Sequence, residues 1–271
     1  MPASLALAGC AILAAVTWDP AQYGRFRDER AQPFHDLLAL VERRPGLRVL
    51  DLGCGTGELT RALHLALSAR ETVGIDSSPA MLARAPAAPG LRFEPADIAS
   101  FTADAPFDLV FSNAALHWLP DHAALLPRLA TLVAPGGQLA VQVPRNEAHP
   151  SHRAAEIVAL AMSRELGGYV RRSPVQGPAQ YAALLHALGF SRQHVRLQVY
   201  PHLLPGRAHV VEWVKGSLLT DYEQRLGAAD FARFLERYRE VLLPQLADDE
   251  PFLYTYDRVL FWGAQPAPGG A

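Results

Sequence analysis

Short apolar runs alternate with amphipathic segments in the first half of the chain. The apolar runs predict five strands, over residues 47–52, 72–76, 91–97, 107–114 and 137–144. Segments with helical periodicity lie around them, over residues 28–44, 58–69 and 122–133. A further helix opens with Pro79 and has Ser77 or Ser78 as its N-cap. Strands separated by helices predict an α/β fold, a doubly wound parallel sheet with helices on both faces.

The second half of the chain loses this rhythm and is mostly helical. Helices are predicted within residues 146–174, over 178–190, and as one helix each over 208–226 and 230–247. Residues 194–202 alternate apolar and polar side chains, as a strand in an antiparallel pair does, and residues 254–263 form a last strand. The sheet therefore gains two strands from the second half of the chain.

The composition excludes several classes of protein. The chain has 271 residues, half of them hydrophobic, which is enough to bury one large core. Its net charge of −2 gives no general attraction to nucleic acid or to an anionic membrane. Two cysteines, Cys10 and Cys54, allow neither a disulfide framework nor a four-thiolate metal site.

The first sixteen residues form an apolar prefix, "MPASLALAGCAILAAV". It is shorter than the roughly twenty residues that a transmembrane helix needs. The "LAGC" box at Cys10 matches a bacterial lipoprotein signal, yet no Lys or Arg precedes it. We favour a start codon placed too early, with the natural chain beginning near Val16 or Thr17 in the cytoplasm. A lipoprotein anchored through Cys10 is the alternative.

A glycine loop follows the first strand in "RVLDLGCGTGELTRAL". Gly53, Gly55 and Gly57 let a ligand approach the backbone closely. A dinucleotide loop would carry a third glycine for helix packing where Glu58 stands. Asp51 and Glu58 add carboxylates that repel a diphosphate and suit a cationic ligand. S-adenosylmethionine, which has a sulfonium and an ammonium group, fits this loop better than NAD does.

The ends of the next three strands carry polar residues as well. Parallel strands bring their carboxyl ends to one edge of the sheet, where ligands bind. Asp76 is placed to accept hydrogen bonds from both ribose hydroxyls, with Ser77 beside it, and Asp97-Ile98 to contact the adenine. Asn113 ends the fourth strand. The alternatives are a structural tight turn with solvated acids and an NAD-binding oxidoreductase.

These motifs also resemble a known family. "VLDLGCGTGELT", "GIDSSPAMLARA", "PADI", "FDLVFSNAALHWLPDH" and "LVAPGGQLAVQVP" are similar to segments of class I S-adenosylmethionine-dependent methyltransferases. "WDPAQYGRFRDERAQPFHDLL" and "SNAALHWLPDH" resemble the bacterial group that methylates trans-aconitate, and the likeness covers residues 17–262. It implies a Rossmann-like, mostly parallel seven-stranded sheet with an antiparallel last strand and a helical lid.

The resemblance also implies roles for single residues. Arg30 and Arg258 stand at family positions and are expected to bind acceptor carboxylates. His117 and Trp118 follow the fourth strand and face the reaction centre, although either of them can instead be structural. Tyr23 is expected to close over the cofactor.

One segment departs from the family pattern. Residues 216–221 read Gly-Ser-Leu-Leu-Thr-Asp where the family has Gly-Thr-x-Leu-Arg-Pro, so an arginine is lost and Asp221 is gained. Arg153 and Arg164 are read as solvated charges, and Arg171-Arg172 are left open between a surface and a site role. The other candidate cations are Arg145, His149, His152 and Lys215.

The expected protein is a single methyltransferase domain over residues 17–271, with lid segments 146–175 and 205–247. It uses S-adenosyl-L-methionine and no metal to esterify a carboxylate of a small polycarboxylate, with trans-aconitate as the first choice. A free carboxylate is ionised near neutral pH, so the reaction needs no strong base. The alternatives are another acceptor, such as a malonyl-carrier carboxylate or a natural-product hydroxyl, and a non-catalytic binding protein. We expect a cytoplasmic monomer that binds neither nucleic acid nor membrane.

Overall fold

A seven-stranded sheet crosses the part of the chain that the computed structural model describes, residues 27–267. The strands are β1 (Arg48–Leu52), β2 (Glu71–Asp76), β3 (Leu91–Pro95), β4 (Phe107–Asn113), β5 (Val133–Pro144), β6 (Arg192–Leu204) and β7 (Phe252–Ala264). The helices are α1 (Arg27–Leu38), α2 (Glu58–Leu67), α3 (Pro79–Leu82), α4 (His122–Ala130), α5 (Pro150–Ala161), α6 (Pro178–Ala187), α7 (His209–Lys215), α8 (Thr220–Arg225) and α9 (Ala228–Leu242). Residues 1–16 and Tyr23 lie outside the described residues, and Arg30 is described by its backbone alone.

The strand order is β3-β2-β1-β4-β5-β7-β6. Strands β1 to β5 pair in parallel, whereas β7 pairs antiparallel with both β5 and β6. The Rossmann-like, mostly parallel sheet with an antiparallel last strand is therefore confirmed. Because β1 to β4 all end at one edge, the glycine loop and Asp76, Asp97 and Asn113 lie at that edge.

Apolar side chains cover both faces of the sheet. On one face Leu50 and Val110 belong to a core that includes Leu126 of α4 and Tyr181 of α6. On the other face α1 and α2 pack against the sheet. There Phe34 of α1 meets Phe111 of β4 edge to face, with ring centroids 5.7 Å apart.

A separate apolar core joins helices α5, α7, α8 and α9, which we call the helical layer. Its floor is the first half of β7, where Phe252, Tyr254 and Tyr256 are buried. Helix α9 buries a stripe of apolar side chains spaced for one helical face: Phe231, Phe234, Tyr238 and Leu242. β6 pairs with β7 along residues 252–264, whereas β5 pairs only with residues 258–264. The β6–β7 hairpin therefore extends beyond the sheet and carries the helical layer.

Several predicted helices have different bounds in the structure. The helix predicted over 28–44 ends at Leu38. The helix predicted over 122–133 ends at Ala130, because Val133 already pairs with Phe107 in the sheet. Residues 208–226 form two helices, α7 and α8, because glycine, a poor helix former, follows Lys215.

Within residues 27–267, no helix has the length and apolar character required to cross a membrane.

Candidate functional site

The glycine loop between β1 and α2 has a backbone that only glycine adopts readily. Gly53 and Gly57 both have φ of 73°. A Cβ atom on Gly53 would overlap the Cβ of Ala115, and one on Gly57 would lie 2.6 Å from the ring of Phe93. These glycines let the loop lie against Phe93 of β3 and Ala115 after β4, whereas a Cβ on Gly55 would make only an ordinary contact with Met81, at 3.7 Å.

Asp76, at the end of β2, accepts a hydrogen bond from the backbone of the glycine loop. Its Oδ2 accepts a hydrogen bond from Gly55 N at 2.9 Å, and its Oδ1 accepts one from Ser78 N at 2.9 Å. Each carboxylate oxygen keeps acceptor capacity for a ligand hydroxyl. Ser78 caps α3 by accepting from Met81 N, whereas Ser77 is exposed beside Asp76.

Asp51 is buried behind the loop. Thr60 Oγ1 donates a hydrogen bond to its Oδ2 at 2.6 Å. Burial raises the pKa of Asp51 to about 7, with a smaller rise from the charge of Asp76, while the bond from Thr60 opposes the change. Two acids this close favour a cationic ligand, which would hold Asp51 in its ionised form. Glu58 is exposed at the first residue of α2.

The third and fourth strand ends border the same space. Asp97 is exposed and its Oδ1 accepts from Ala99 N at 2.8 Å, while Ile98 is buried beside Gly53. Asn113 Oδ1 is buried and accepts no hydrogen bond from the described residues. Ala114 has φ of 54°, a conformation that costs a non-glycine residue about 1 kcal/mol. This strained turn directly follows β4 and leads the chain toward His117.

A pocket of about 150 Å³ begins at His117 and runs under the helical layer. Residues from β5, α5, α8, β7 and the intervening loops line it: Pro144, Asn146, Glu147, His152, Glu156, Arg171, Arg172, Ser173, Ser217, Leu218, Tyr222 and Tyr256. Of the predicted catalytic residues, His117 is thus at the pocket, and Trp118 is its neighbour with ring centroids 4.7 Å apart.

Arg258 is buried at the base of the helical layer. It pairs with Pro144 of β5, and its guanidinium lies 5.0 Å from the ring centroid of Tyr256. Among the side chains that the structure describes, residues 31–267, no acid lies in ion-pairing distance of it, and its Nε has no hydrogen-bond partner. A buried guanidinium without a carboxylate is costly to keep, so this one is suited to an anionic ligand.

Arg171, in the segment between α5 and α6, lines the pocket. Its Nη1 donates to Ser217 O at 3.0 Å, and its Nε lies 3.6 Å from Asp221 Oδ2. The guanidinium carbon lies 4.8 Å from the ring centroid of Trp118. The adjacent Arg172 instead pairs with Glu156 at 2.6 Å on the surface. The sequence left open whether Arg171 and Arg172 have a surface or a site role. In the structure Arg171 is held inside the pocket by its neighbours, whereas Arg172 pairs with an acid on the surface.

His117 is a weak base. Burial, and then the charges of Arg171 and Arg258, hold its pKa well below the ordinary histidine range. Burial and Arg171 likewise lower the pKa of His152 to about 3, and burial lowers that of His149 to about 4. His117 and His152, the two histidines that line the pocket, are therefore neutral at physiological pH, and its positive charge comes from arginine.

Arg145 lies between the lining residues Pro144 and Asn146, and its buried Nε has no hydrogen-bond partner among the described residues. Three other candidate cations are exposed or already paired. Arg153 and Arg164 are exposed, and Lys215 pairs with Glu212 at 3.4 Å. Within the described residues no cluster of three or more His, Cys, Asp or Glu side chains could hold a metal ion.

Sequence reasoning missed three residues near this site. Asn146 and Tyr256 line the pocket, and Gln142 of β5 pairs with Asn113 of β4. Gln142 is fully buried, and neither atom of its amide has a hydrogen-bond partner in the part of the chain that the structure describes. A glutamine in the otherwise apolar "GQLAVQVP" run was the available signal for Gln142.

Comparison with known proteins identifies the class. The sequence matches the family model of the methyltransferase domain over residues 23–195. The chain therefore belongs to the methyltransferase family, which confirms the resemblance read from its motifs. It is similar to a protein of Deinococcus radiodurans named trans-aconitate 2-methyltransferase, with 46% identity over 93% of this chain and 99% of that protein. A protein of the same name from Methylobacterium nodulans is 44% identical over 83% of this chain and 88% of its own length.

Solved structures agree on the fold. The YcgJ protein of Bacillus subtilis superposes with a TM-score of 0.57 at 16% identity, over 86% of this chain and 98% of that one. A structural match at this identity supports the architecture of the sheet and helices.

Proposed function

We propose that the protein is an S-adenosylmethionine-dependent O-methyltransferase that esterifies a carboxylate of trans-aconitate. The observation that carries the proposal is a pair of arginines: Arg171 lines a pocket whose histidines are neutral, and the buried Arg258 lies beside two of its lining residues, Pro144 and Tyr256. The pocket begins directly after the strand end that borders the glycine loop. The name shared by the relatives supports the choice of acceptor.

The edge of the sheet fits the methyl donor. Asp76 has acceptor capacity for the ribose diol, and Gly55, which has no Cβ, lets the nucleoside approach the backbone of the loop. Asp51 places negative potential behind the loop, and the unsatisfied Asn113 Oδ1 offers an acceptor to the donor ammonium group. The bound donor supplies an electrophilic methyl group on its sulfonium.

The acceptor side needs no general base. A carboxylate is ionised at neutral pH, so the protein has only to orient it and exclude water. Arginine forks bind carboxylates through two parallel hydrogen bonds, which fixes the direction of the reacting oxygen. His117 is too weakly basic to deprotonate a hydroxyl or an amine, which favours a carboxylate acceptor over a natural-product hydroxyl.

The helical layer is proposed to act as the lid of one methyltransferase domain, with segments 146–175 and 205–247 enclosing the acceptor. Arg30 and Tyr23 are proposed to complete the site from the N-terminal side. We further propose that the enzyme works as a cytoplasmic monomer on a small anionic metabolite, without metal, nucleic acid or membrane.

A methyl-transfer assay with labelled donor tests the proposal. The acceptors are trans-aconitate, cis-aconitate, citrate, isocitrate and a malonyl carrier. Selective turnover of trans-aconitate, with a base-labile label as an ester gives, is the expected result. Calorimetry with the donor alone provides the control, because donor binding without turnover of any acid would leave a binding protein. Turnover of the malonyl carrier alone would replace trans-aconitate as the acceptor.

A further inference from the structure

Arg171 is held on three sides before any acceptor arrives. The carbonyl of Ser217 accepts from Nη1, Asp221 faces Nε, and the ring of Trp118 lies against the guanidinium plane. Its side chain is only 16% exposed. These contacts leave the Nη2 edge without a partner among the described residues, on a side chain that lines the pocket.

Asp221 is itself fixed in place. The hydroxyl of Tyr169 donates to Asp221 Oδ2 at 3.2 Å, and the guanidinium of Arg225 lies 3.7 Å from the ring centroid of Tyr169. Asp221 lies in the first turn of α8, while Tyr169 and Arg171 belong to the segment after α5. The aspartate thus ties two parts of the helical layer together beside the pocket.

The charges around the pocket show what this aspartate changes. Arg258 has no acidic partner among the described side chains, whereas Arg171 has Asp221. Among the other lining charges, Arg172 and Glu156 neutralise each other in an exposed pair, and Glu147 is exposed, so solvent screens its charge. Asp221 is therefore the partly buried acid that subtracts from the positive charge offered to an acceptor.

We propose that Asp221 is a specificity-determining residue. It reduces the gain in binding affinity that each additional acceptor carboxylate would otherwise bring. The inference rests on the proposed function, since it takes Arg171 as an acceptor-binding group. Asp221 keeps Arg171 oriented and also repels each acceptor carboxylate. Its effect therefore grows with every negative charge on the ligand.

Calorimetric titration with three acids that share a propane backbone tests this inference without any turnover. Tricarballylate, glutarate and butyrate carry three, two and one carboxylates, and binding is measured without methyl donor. Asp221→Asn removes the charge and keeps an oxygen that accepts from Tyr169 and faces Arg171. We expect Kd for tricarballylate to fall about fivefold more than Kd for glutarate, with a smaller step again for butyrate.

A matched control is Asp248→Asn, which removes the same charge from an exposed aspartate paired with Arg207. It should leave the three Kd values in their wild-type ratio. If Asp221→Asn does not fold, as judged by circular dichroism, Asp221→Ser supplies a neutral oxygen at the same position. Equal changes for the three acids, or none, in the folded variant would overturn the inference.

The outcome also separates this inference from the proposed function. Wild-type protein that methylates trans-aconitate and binds tricarballylate, with no charge-dependent change in Asp221→Asn, sinks the role of Asp221 alone. Wild-type protein that neither turns over trans-aconitate nor binds any of the three acids sinks the proposed function together with it.

Discussion

Gly53 lies so close to Ala115 that a Cβ atom on the glycine would overlap the Cβ of the alanine. The loop after β1 therefore packs directly against the loop after β4. The first is the loop proposed to bind the donor, and the second leads to His117. The backbone φ of 73° at Gly53 disfavours a side chain as well.

Replacing Gly53 by alanine should therefore lower the free energy of unfolding by about 3 kcal/mol or more, because strain and overlap add. Gly46→Ala is the matched control, since Gly46 has φ of 68° with nothing within 4 Å of a Cβ. It should cost only about 1 kcal/mol, from backbone strain alone. Urea unfolding of both variants measures the difference, and equal losses would contradict the overlap argument.

Arg258→Lys should raise KM for the acceptor about tenfold or more, because the ammonium keeps the charge but loses the two-point geometry of the guanidinium. Steady-state kinetics with saturating donor measures this effect. Arg153→Lys, an exposed position on α5, serves as the control and should not change KM. An unchanged KM in Arg258→Lys would remove Arg258 from the acceptor site.

Asp51 should make donor binding depend on pH. Its pKa in the folded protein is raised to about 7, and a cationic ligand favours the ionised carboxylate. Below pH 7 binding must first release a proton, so Kd for the donor should rise as pH falls and should level off above pH 7. Calorimetry between pH 6 and pH 8 tests this; in Asp51→Asn the affinity should be weaker and free of this dependence.

The same shift has a consequence for the stability of the ligand-free protein. Because the folded pKa lies above the ordinary value of 3.8, the unfolded chain loses the Asp51 proton first as pH rises. The free energy of unfolding should therefore fall between about pH 4 and pH 7 through this group. Asp51→Asn should remove that contribution, and a variant with an unchanged pH profile would contradict it.

Gln142→Met should raise the free energy of unfolding by about 1 kcal/mol, because it replaces a buried amide without partners by an apolar side chain of similar size. Gln138→Met is the control in the same strand. Gln138 accepts from Glu42 N and Trp262 Nε1, both at 2.8 Å, and donates to Glu42 O. Its loss should destabilise the protein by about 3 kcal/mol. Destabilisation by both variants would show that Gln142 has a partner.

The fold followed from local pattern to a large extent. Apolar runs and helical periodicity predicted the strands of the parallel half, because each is a property of neighbouring residues. The bounds failed where tertiary pairing decided them. Val133 reads as the end of a helix, yet its pairing with Phe107 makes it the start of β5.

The site was less predictable, because its side chains are distinguished by distant partners. Arg171 and Arg172 are adjacent and chemically identical, yet their side chains are 16% and 73% exposed. Gln138 and Gln142 lie in one strand, and only contacts with Glu42 and Trp262 satisfy the first. The proposed roles of Arg30, His117, Trp118 and Arg258 remain predictions.

The hairpin of β6 and β7 extends six residues, Phe252–Asp257, past the last pair that β7 makes with β5. The helical layer stands on this extension, so it and the sheet edge with the glycine loop have separate apolar cores. We refer to the helical layer, in its proposed role over the acceptor, as the cover. Substitutions in the cover can accumulate without disturbing the packing under the glycine loop. A change of acceptor can therefore arise by remodelling four helices on an unchanged hairpin, while the loops proposed to bind the methyl donor stay as they are.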